Sequence, residues 1–321
     1  MAHVILTALF SVAVGAVACG DNPPTMITQW GTSGFGIGQF DWPQGAALGL
    51  SGEVFVADRN NNRIQVFTDE GQYLRSWGSF GNTDGLLSGP TGLARAANGS
   101  LYVVDFPSRI QIFGPDGTFL GRVPHQPGVN LLNPRSIAFG PDGNLWVANT
   151  LNNEVLKLSP QGVLLARAST RWGPTNWVAV NSRGEALVVD NNLYIERYAS
   201  DGTLLGFFGP WSPFVPRGSI PFFATVAVDR DDNVYVGAEG GVGDRCFLYK
   251  LNSSGDLLAT WGTPGAGPGE VGAVAGIAVA DLGDIFVVDI GNARVERFRF
   301  VPTSVPTRSW GHLKHAYRAP R

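Results

Sequence analysis

Two cysteines in 321 residues are too few for a disulfide framework. Cys246 sits in a strand-like stretch between Arg245 and Phe247, where a small buried hydrophobe is expected. Histidine is also scarce. His125 stands alone and His312 and His315 lie near the C-terminus, so the clustered donors of a zinc site are missing. A formal net charge of −3 and a pI near 5.8 leave no basic excess for general nucleic-acid binding. No G-x-S-x-G, H-E-x-x-H or phosphate-loop pattern occurs. No helical period fits the best-defined stretch, Gly52–Gly78.

What is abundant is glycine, 43 residues, together with a repeated unit. In Gly52–Gly78 an apolar run, Val54–Ala57, ends in Asp58. The polar loop Arg59–Arg63, a second run Ile64–Phe67, a turn at Thr68–Gly71 and a third run closing on Trp77-Gly78 follow. Short β-branched and aromatic runs separated by Asn, Asp and Gly predict strands of a meander. Copies begin at Gly99, Gly143, Gly184, Asp232 and Gly283, with the Asp58 position taken by Asp105, Asn149, Asp190, Ala238 and Asp289. Each copy follows one more short strand, such as Ala46–Leu48 or Ile277–Val279. Four strands per unit at a period in the forties predict an all-β, six-bladed propeller of antiparallel blades with almost no helix. The recurring Arg63-Ile64-Gln65, Arg109-Ile110-Gln111 and Asn292-Ala293-Arg294 segments, with the closing Trp-Gly, resemble the NHL-repeat family of six-bladed propellers over about residues 26–311. Units three to five depart from that pattern, with Glu154 in place of the Arg, a shortened fourth loop, and Ala238 followed by a Gly-rich insertion.

The apolar run Val4–Ala18 is about 15 residues, short of the roughly 20 that span a bilayer. Ala16-Val17-Ala18 fits a secretory cleavage site, and with Cys19 it resembles a bacterial lipobox in which Ala16 replaces the usual Leu. The expected organisation is a signal peptide over 1–18, an acylated Cys19 with a linker over 19–25, the propeller over 26–311, and a basic tail over 312–321. That places the protein outside the cytoplasm, as an envelope lipoprotein or secreted, held to a membrane only through its lipid. Met26–Gly31 is an orphan copy of a closing strand. Ile27–Trp30 is expected to pair outside Arg294–Phe300 and seal the ring, with Arg308–Trp310 as the competing segment behind Pro302 and Pro306.

In a four-stranded blade, the loops between second and third strands share one rim with the links between blades. The links place Gln44, Thr91, Arg135, Asn176, Ala224 and Ala275 near the central channel. The binding candidates on this rim are Arg59, Arg63, Arg109, Arg135, Asn149, Asn176, Asp190, Glu239, Asp289 and Arg294. A repeated Asp and Arg in one loop is expected to bond loop backbone or bridge blades. The positions that break the repeat, Arg135, Asn149, Asn176, Glu239 and 240–244, are therefore the better ligand candidates. Trp30, Trp77, Trp261 and Trp310 share one repeat position and are expected to pack. Trp146, Trp172, Trp177 and Trp211 lie off it, and Trp172 and Trp211 are candidates to stack on a ligand. Asp229–Asn233 has calcium-loop spacing but lacks the Gly and the final Glu, which favours a turn. The resemblance implies two enzymatic relatives. The amidating lyase needs zinc-binding histidines absent here. A calcium lactonase of the regucalcin type would need Glu239, Asn149 and Asp190. The expected function is a monomeric binding module for a protein or small ligand on one rim, with no nucleic acid, no catalytic residue and no cofactor. A metal-dependent hydrolase, lactonase or lyase, with calcium, is the alternative.

Overall fold

The computed structural model describes residues 21–124, 126–171, 173–190, 194–208, 222–239 and 248–300. The signal segment, Cys19, Cys246, the insertion 240–244, Trp172, Trp211 and everything after residue 300 lie outside them. Six four-stranded antiparallel sheets form a ring. Blade one comprises Pro43–Leu48, Val54–Asp58, Arg63–Phe67 and Tyr73–Trp77. The innermost strands of the others are Leu93–Arg95, Pro134–Phe139, Thr175–Val180, Phe222–Val228 and Val274–Val279. These strands contact one another in chain order, and the last contacts the first. One 3₁₀ turn, Thr150–Asn152, is the helical structure among the described residues.

Burial explains the sequence pattern strand by strand. Val54–Asp58, Leu101–Asp105 and Leu145–Asn149 are buried along their whole length. Each lies in the middle of a blade that is covered on both faces, so both faces are apolar. The outer strand Tyr73–Trp77 alternates between half-buried and exposed, as a sheet edge with one covered face does. The tryptophan that ends an outer strand wedges into the next blade. Trp30 meets Phe67, Trp77 meets Phe113 and Trp261 meets Phe298, with centroids 5.8, 6.1 and 6.3 Å apart. A Cβ on Gly71 would stand 2.7 Å from the Trp30 ring and one on Gly117 2.6 Å from the Trp77 ring, and both glycines have positive φ. The receiving turn must therefore be glycine on two counts.

The ring closes through its N-terminal strand. Thr25–Trp30 pairs antiparallel with Arg294–Arg299, from Thr25 opposite Arg299 to Trp30 opposite Val295. This gives the sixth blade a fourth strand contributed from the start of the propeller and removes an open edge. Arg297 ties the same seam to blade one. Its Nη2 bonds Asp284 Oδ2 at 2.8 Å, while Nη1 reaches the Asp69 carbonyl at 3.0 Å and Glu70 Oε1 at 3.1 Å. Burial alone would raise the Asp284 pKa, but the hydrogen bonds from Arg299 and Arg297 outweigh it and hold this carboxyl below its ordinary value.

Trp30 fills the seam, whereas Ile27 sits at a register shift in the same strand and is 42% exposed. Trp30→Ala is expected to lower unfolding free energy by about 2–3 kcal/mol, the range of a large-to-small change at a mostly buried site. Ile27→Ala is expected to cost under about 1 kcal/mol. Urea unfolding of both variants checks this, and equal losses would contradict the wedge.

Candidate functional site

The rim is built from a lock repeated with variations. In blade one Asp58 is fully buried. Its Oδ1 accepts from the Asp41 backbone at 2.8 Å, and its Oδ2 accepts from Arg63 Nε at 2.7 Å and Gln65 Nε2 at 3.1 Å. Asn61 Nδ2 joins Asp58 to the Gly34 carbonyl. Arg63 Nη2 donates to the Gly36 and Gln39 carbonyls at 2.7 and 2.9 Å. The motif residues thus bind the backbone of the link that enters the blade. Asn62, at φ 55°, makes the left-handed step that returns the chain to the third strand. Blades two and six repeat the lock. Arg109 pairs with Asp105 and donates to the Asn82 and Leu86 carbonyls. Arg294 holds Asp289 at 3.2 Å and the Ala266 carbonyl at 2.8 Å.

Blade three keeps the lock with the charge changed. Asn149 replaces the Asp, accepting from the Leu132 backbone at 2.7 Å and donating to the Asn130 carbonyl at 2.8 Å and Glu154 Oε1 at 2.7 Å. Its side chain is fully buried with both amide atoms engaged. Asn149 therefore serves the link of blade three as Asp58 serves that of blade one, while the side chains of Asp190 and Glu239 lie outside the described residues. Among the described residues no group of three His, Cys, Asp or Glu is arranged to hold a metal ion. Asp229 closes its own turn, accepting from the backbones of Asp231 and Asn233 at 2.9 and 2.8 Å and from Tyr235 Oη at 3.1 Å. The strand carrying Asp190 and that carrying Glu239 lead to this same rim.

The channel mouth is set by a second repeated device. In blades one, three, four, five and six the register of the innermost strand slips near its start, between Pro43 and Ala46, Pro134 and Ser136, Thr175 and Trp177, Phe223 and Thr225, and Val274 and Gly276. Such bulges re-aim a side chain. The residues at four of them, Gln44, Arg135, Asn176 and Ala275, line one cavity of about 150 Å³ together with Trp42, Arg59, Trp177 and Ile290. Arg135 Nη1 donates to Asn176 Oδ1 at 3.0 Å across neighbouring blades. The position after the bulge is glycine in blade one because its neighbour is close. A Cβ on Gly45 would stand 2.4 Å from the Thr91 carbonyl oxygen. In blade four that position is Trp177, and its Cη2 lies 3.4 Å from the same point above Gly45. The indole therefore crosses the channel from blade four to blade one and plugs it.

A second cavity of about 370 Å³ adjoins the first and shares Arg59 with it. Phe80, Gly89, Thr91, Phe106, Ser108 and Asn133 are among its lining residues. Asp105 also lines it, but that carboxylate is engaged by Arg109, Ser88 and Gln111. Burial pushes the Asp105 carboxyl up, and those bonds only partly oppose it. Of the ten candidates, the structure brings Arg59, Arg135 and Asn176 together at open cavities. It places Arg63, Arg109, Asn149, Asp289 and Arg294 inside the locks. Trp42 was absent from the sequence expectations, and it is 51% exposed with φ 56°. A bulky aromatic in the left-handed region is a strained outlier. Nothing in its local sequence signals this. Of the off-repeat tryptophans, Trp177 is at the channel mouth and Trp146 is fully buried in the core.

In blade four Glu196 takes the position of Gln65 and Gln111 and accepts from the Arg171 backbone and the Tyr198 hydroxyl, but the lock of blade six is mismatched. The position of Gln65 and Gln111 is Glu296 in blade six, with 0% exposure. Gln65 and Gln111 each donate to a link carbonyl and accept from a link N–H. Neither Glu296 oxygen receives a well-formed hydrogen bond, although Arg294 Nη2 stands 3.1 Å from Oε1. Burial, with Asp289 adding to it and Arg294 opposing, pushes the Glu296 carboxyl from 4.5 up to about 7. The folded chain thus holds a proton that the unfolded chain releases between these values. Its contribution is fully present below about pH 4.5 and is lost as the pH rises through about 7, a fall of about 3 kcal/mol at pH 8. Glu296→Gln restores the amide of blades one and two. It is expected to raise stability by about 2–3 kcal/mol at pH 8 and to change it little at pH 4.5. Denaturant unfolding at the two pH values checks this, and an equal gain at both would contradict it.

A family model of the NHL repeat matches residues 40–67, the first blade with its link. The Drosophila melanogaster protein brain tumor is 31% identical over 137 residues, 41% of this chain and 13% of that protein. The human NHL repeat-containing protein 3 is 36% identical over 75 residues, 23% of this chain and 20% of that one. The matched parts of these curated relatives are thus a small share of their length. Among solved structures, a gluconolactonase from Xanthomonas campestris superposes with a TM-score of 0.62 at 16% identity, covering 88% of this chain and 98% of that one. Virginiamycin B lyase from Staphylococcus aureus gives 0.58 at 14%, covering 85% and 99%. These likenesses establish the six-bladed fold.

Proposed function

We propose that this NHL-type propeller is a binding module that recognises a partner on the rim over blades one to four. The observation that carries the reading is the pair of adjoining cavities that share Arg59. Around them stand exposed aromatics, Trp42, Phe80 and Phe106, which a monomer in water has no packing reason to display. The locks beneath hold the links rigid, so the surface is presented without reorganisation. NHL propeller domains generally mediate protein binding, which supports a protein partner. The apolar run Val4–Ala18 followed by Cys19 supports export and acylation, which would present the rim outside the cytoplasm. The hydrolase, lactonase or lyase alternative needs free rim carboxylates. Asp58, Asp105 and Asp289 are bound within locks, which leaves Asp190 and Glu239, with side chains outside the described residues, as the carboxylates this alternative would use.

A photo-crosslinking amino acid placed at Phe80, 71% exposed on the rim, is expected to give discrete adducts in bacterial envelope extract. The same group at Leu282, 86% exposed in a turn of the opposite face, is expected to give none. Adducts from position 282 alone would move the binding surface to the other face.

A further inference from the structure

We propose that the rim binds an acidic, extended peptide segment of its partner, with Arg59 as the residue that selects a carboxylate. This rests on the rim reading above and names the ligand class. Of the rim guanidiniums, Arg63, Arg109 and Arg294 are bound to lock carboxylates, and Arg135 is bonded to Asn176. Arg59 is half-buried and lines both cavities, and its guanidinium makes no hydrogen bond or ion pair to any described residue. A partly desolvated guanidinium without a partner is a fork of donors shaped for a carboxylate.

Among the described residues that line the two cavities there is no free acid. Asp105 is the one carboxylate lining either cavity, and it is engaged by Arg109. Asp41, held by Asn60, lines neither. On the opposite face a cavity of about 310 Å³ is instead lined by Asp69, Asp281 and Asp284 with Arg95. Asp69 and Asp284 are paired with Arg297 there, so that cavity holds no unpartnered cation comparable to Arg59, and among the described residues the rim cavities are the ones complementary to an acidic segment.

The shape favours a chain over a small molecule. A site for a small ligand buries most of that ligand in one concavity. Here two open cavities share Arg59, with exposed Trp42 lining one and exposed Phe80 and Phe106 lining the other. Such a trough suits alternate side chains of an extended segment, an acidic one over Arg59 and apolar ones against the rings.

The test uses the purified mature chain and two fluorescein-labelled octapeptides, alternating Glu-Phe and alternating Lys-Phe, read by anisotropy. The protein carries a net charge of −3. A preference for the acidic peptide therefore cannot arise from overall charge. The acidic peptide is expected to bind at least about tenfold more tightly, and Arg59→Gln to remove that difference while Arg230→Gln, in an exposed turn away from the rim, preserves it. Raising ionic strength from about 0.05 to 0.5 M is expected to narrow the gap. Equal affinity for both peptides, no binding of the acidic one, or a preference that survives Arg59→Gln overturns the inference. Displacement by equimolar benzoate would assign Arg59 to a small carboxylate and overturn it also. Rim adducts at position 80 with any of these outcomes would leave the rim reading standing and remove only the ligand class.

Discussion

The propeller depends on an ion pair whose partner is the backbone. Arg63 neutralises Asp58 inside the blade and uses its remaining donors on carbonyls of the link that leads in from the previous blade. A link between blades has at most a two-residue ladder of its own, such as Thr32–Ser33 with Gln39–Phe40, and its remaining carbonyls would otherwise be stranded against the blade. One side chain with a fixed fork of donors satisfies several of them at once. A buried pair of this kind adds little net stability compared with an apolar pair, but its loss would leave a buried charge and loose carbonyls together. The lock thus specifies one path for each link. The links carry Trp42, Phe80 and Gly89, so the shape of the rim cavities follows from where the locks hold the chain.

The variation among locks is informative because the geometry is constant. Asn149 puts a neutral amide where Asp58 has a carboxylate, with Glu154 accepting from it in place of an arginine donating, and the link of blade three is held all the same. Glu296 keeps the shape of Gln65 but not its donor, and so becomes a buried acid with a raised pKa beside the strand that seals the ring. The same substitution at an exposed site would be silent. Here the energetic consequence comes from the enclosing blade, and stability of the seam becomes a function of pH.

The fold was legible because each blade repeats its own instructions. Alternating apolar runs, the turn glycines and the closing tryptophan recur in phase, and the structure has six blades of four strands with Thr25–Trp30 as the sealing strand. The structural meaning of the Asp and Arg motif was also legible, since residues that recur from loop to loop serve what those loops share. The site was only partly legible. Arg135 and Asn176 stood out by breaking the repeat, and they do meet at the channel mouth. Asn149 broke the repeat as well, yet it is a lock residue, because a change of residue type can preserve a role. Trp177 could not be placed, since its contact with Gly45 joins blades on opposite sides of the ring and exists only once the ring has closed. Trp42 was missed because its exposure follows from a left-handed φ that no neighbouring residue announces.

That cross-ring contact decides where a partner can bind. In an open propeller the channel is a deep well, and a small ligand entering it would be surrounded by six innermost strands. Here the indole of Trp177 occupies the axis up to the backbone of Gly45, and the space left at the mouth is about 150 Å³. The cavity that the described residues form at the mouth is thus smaller than the enclosed volume of about 300 Å³ or more that small-ligand sites use. The larger space lies off the axis between blades one and two, open above and floored by locked links. Trp177, at a position that breaks the repeat, fills the well and leaves the larger open space off the axis on the rim. This arrangement suits the recognition of a chain laid over several blades, with Arg59 at the point where the two cavities meet.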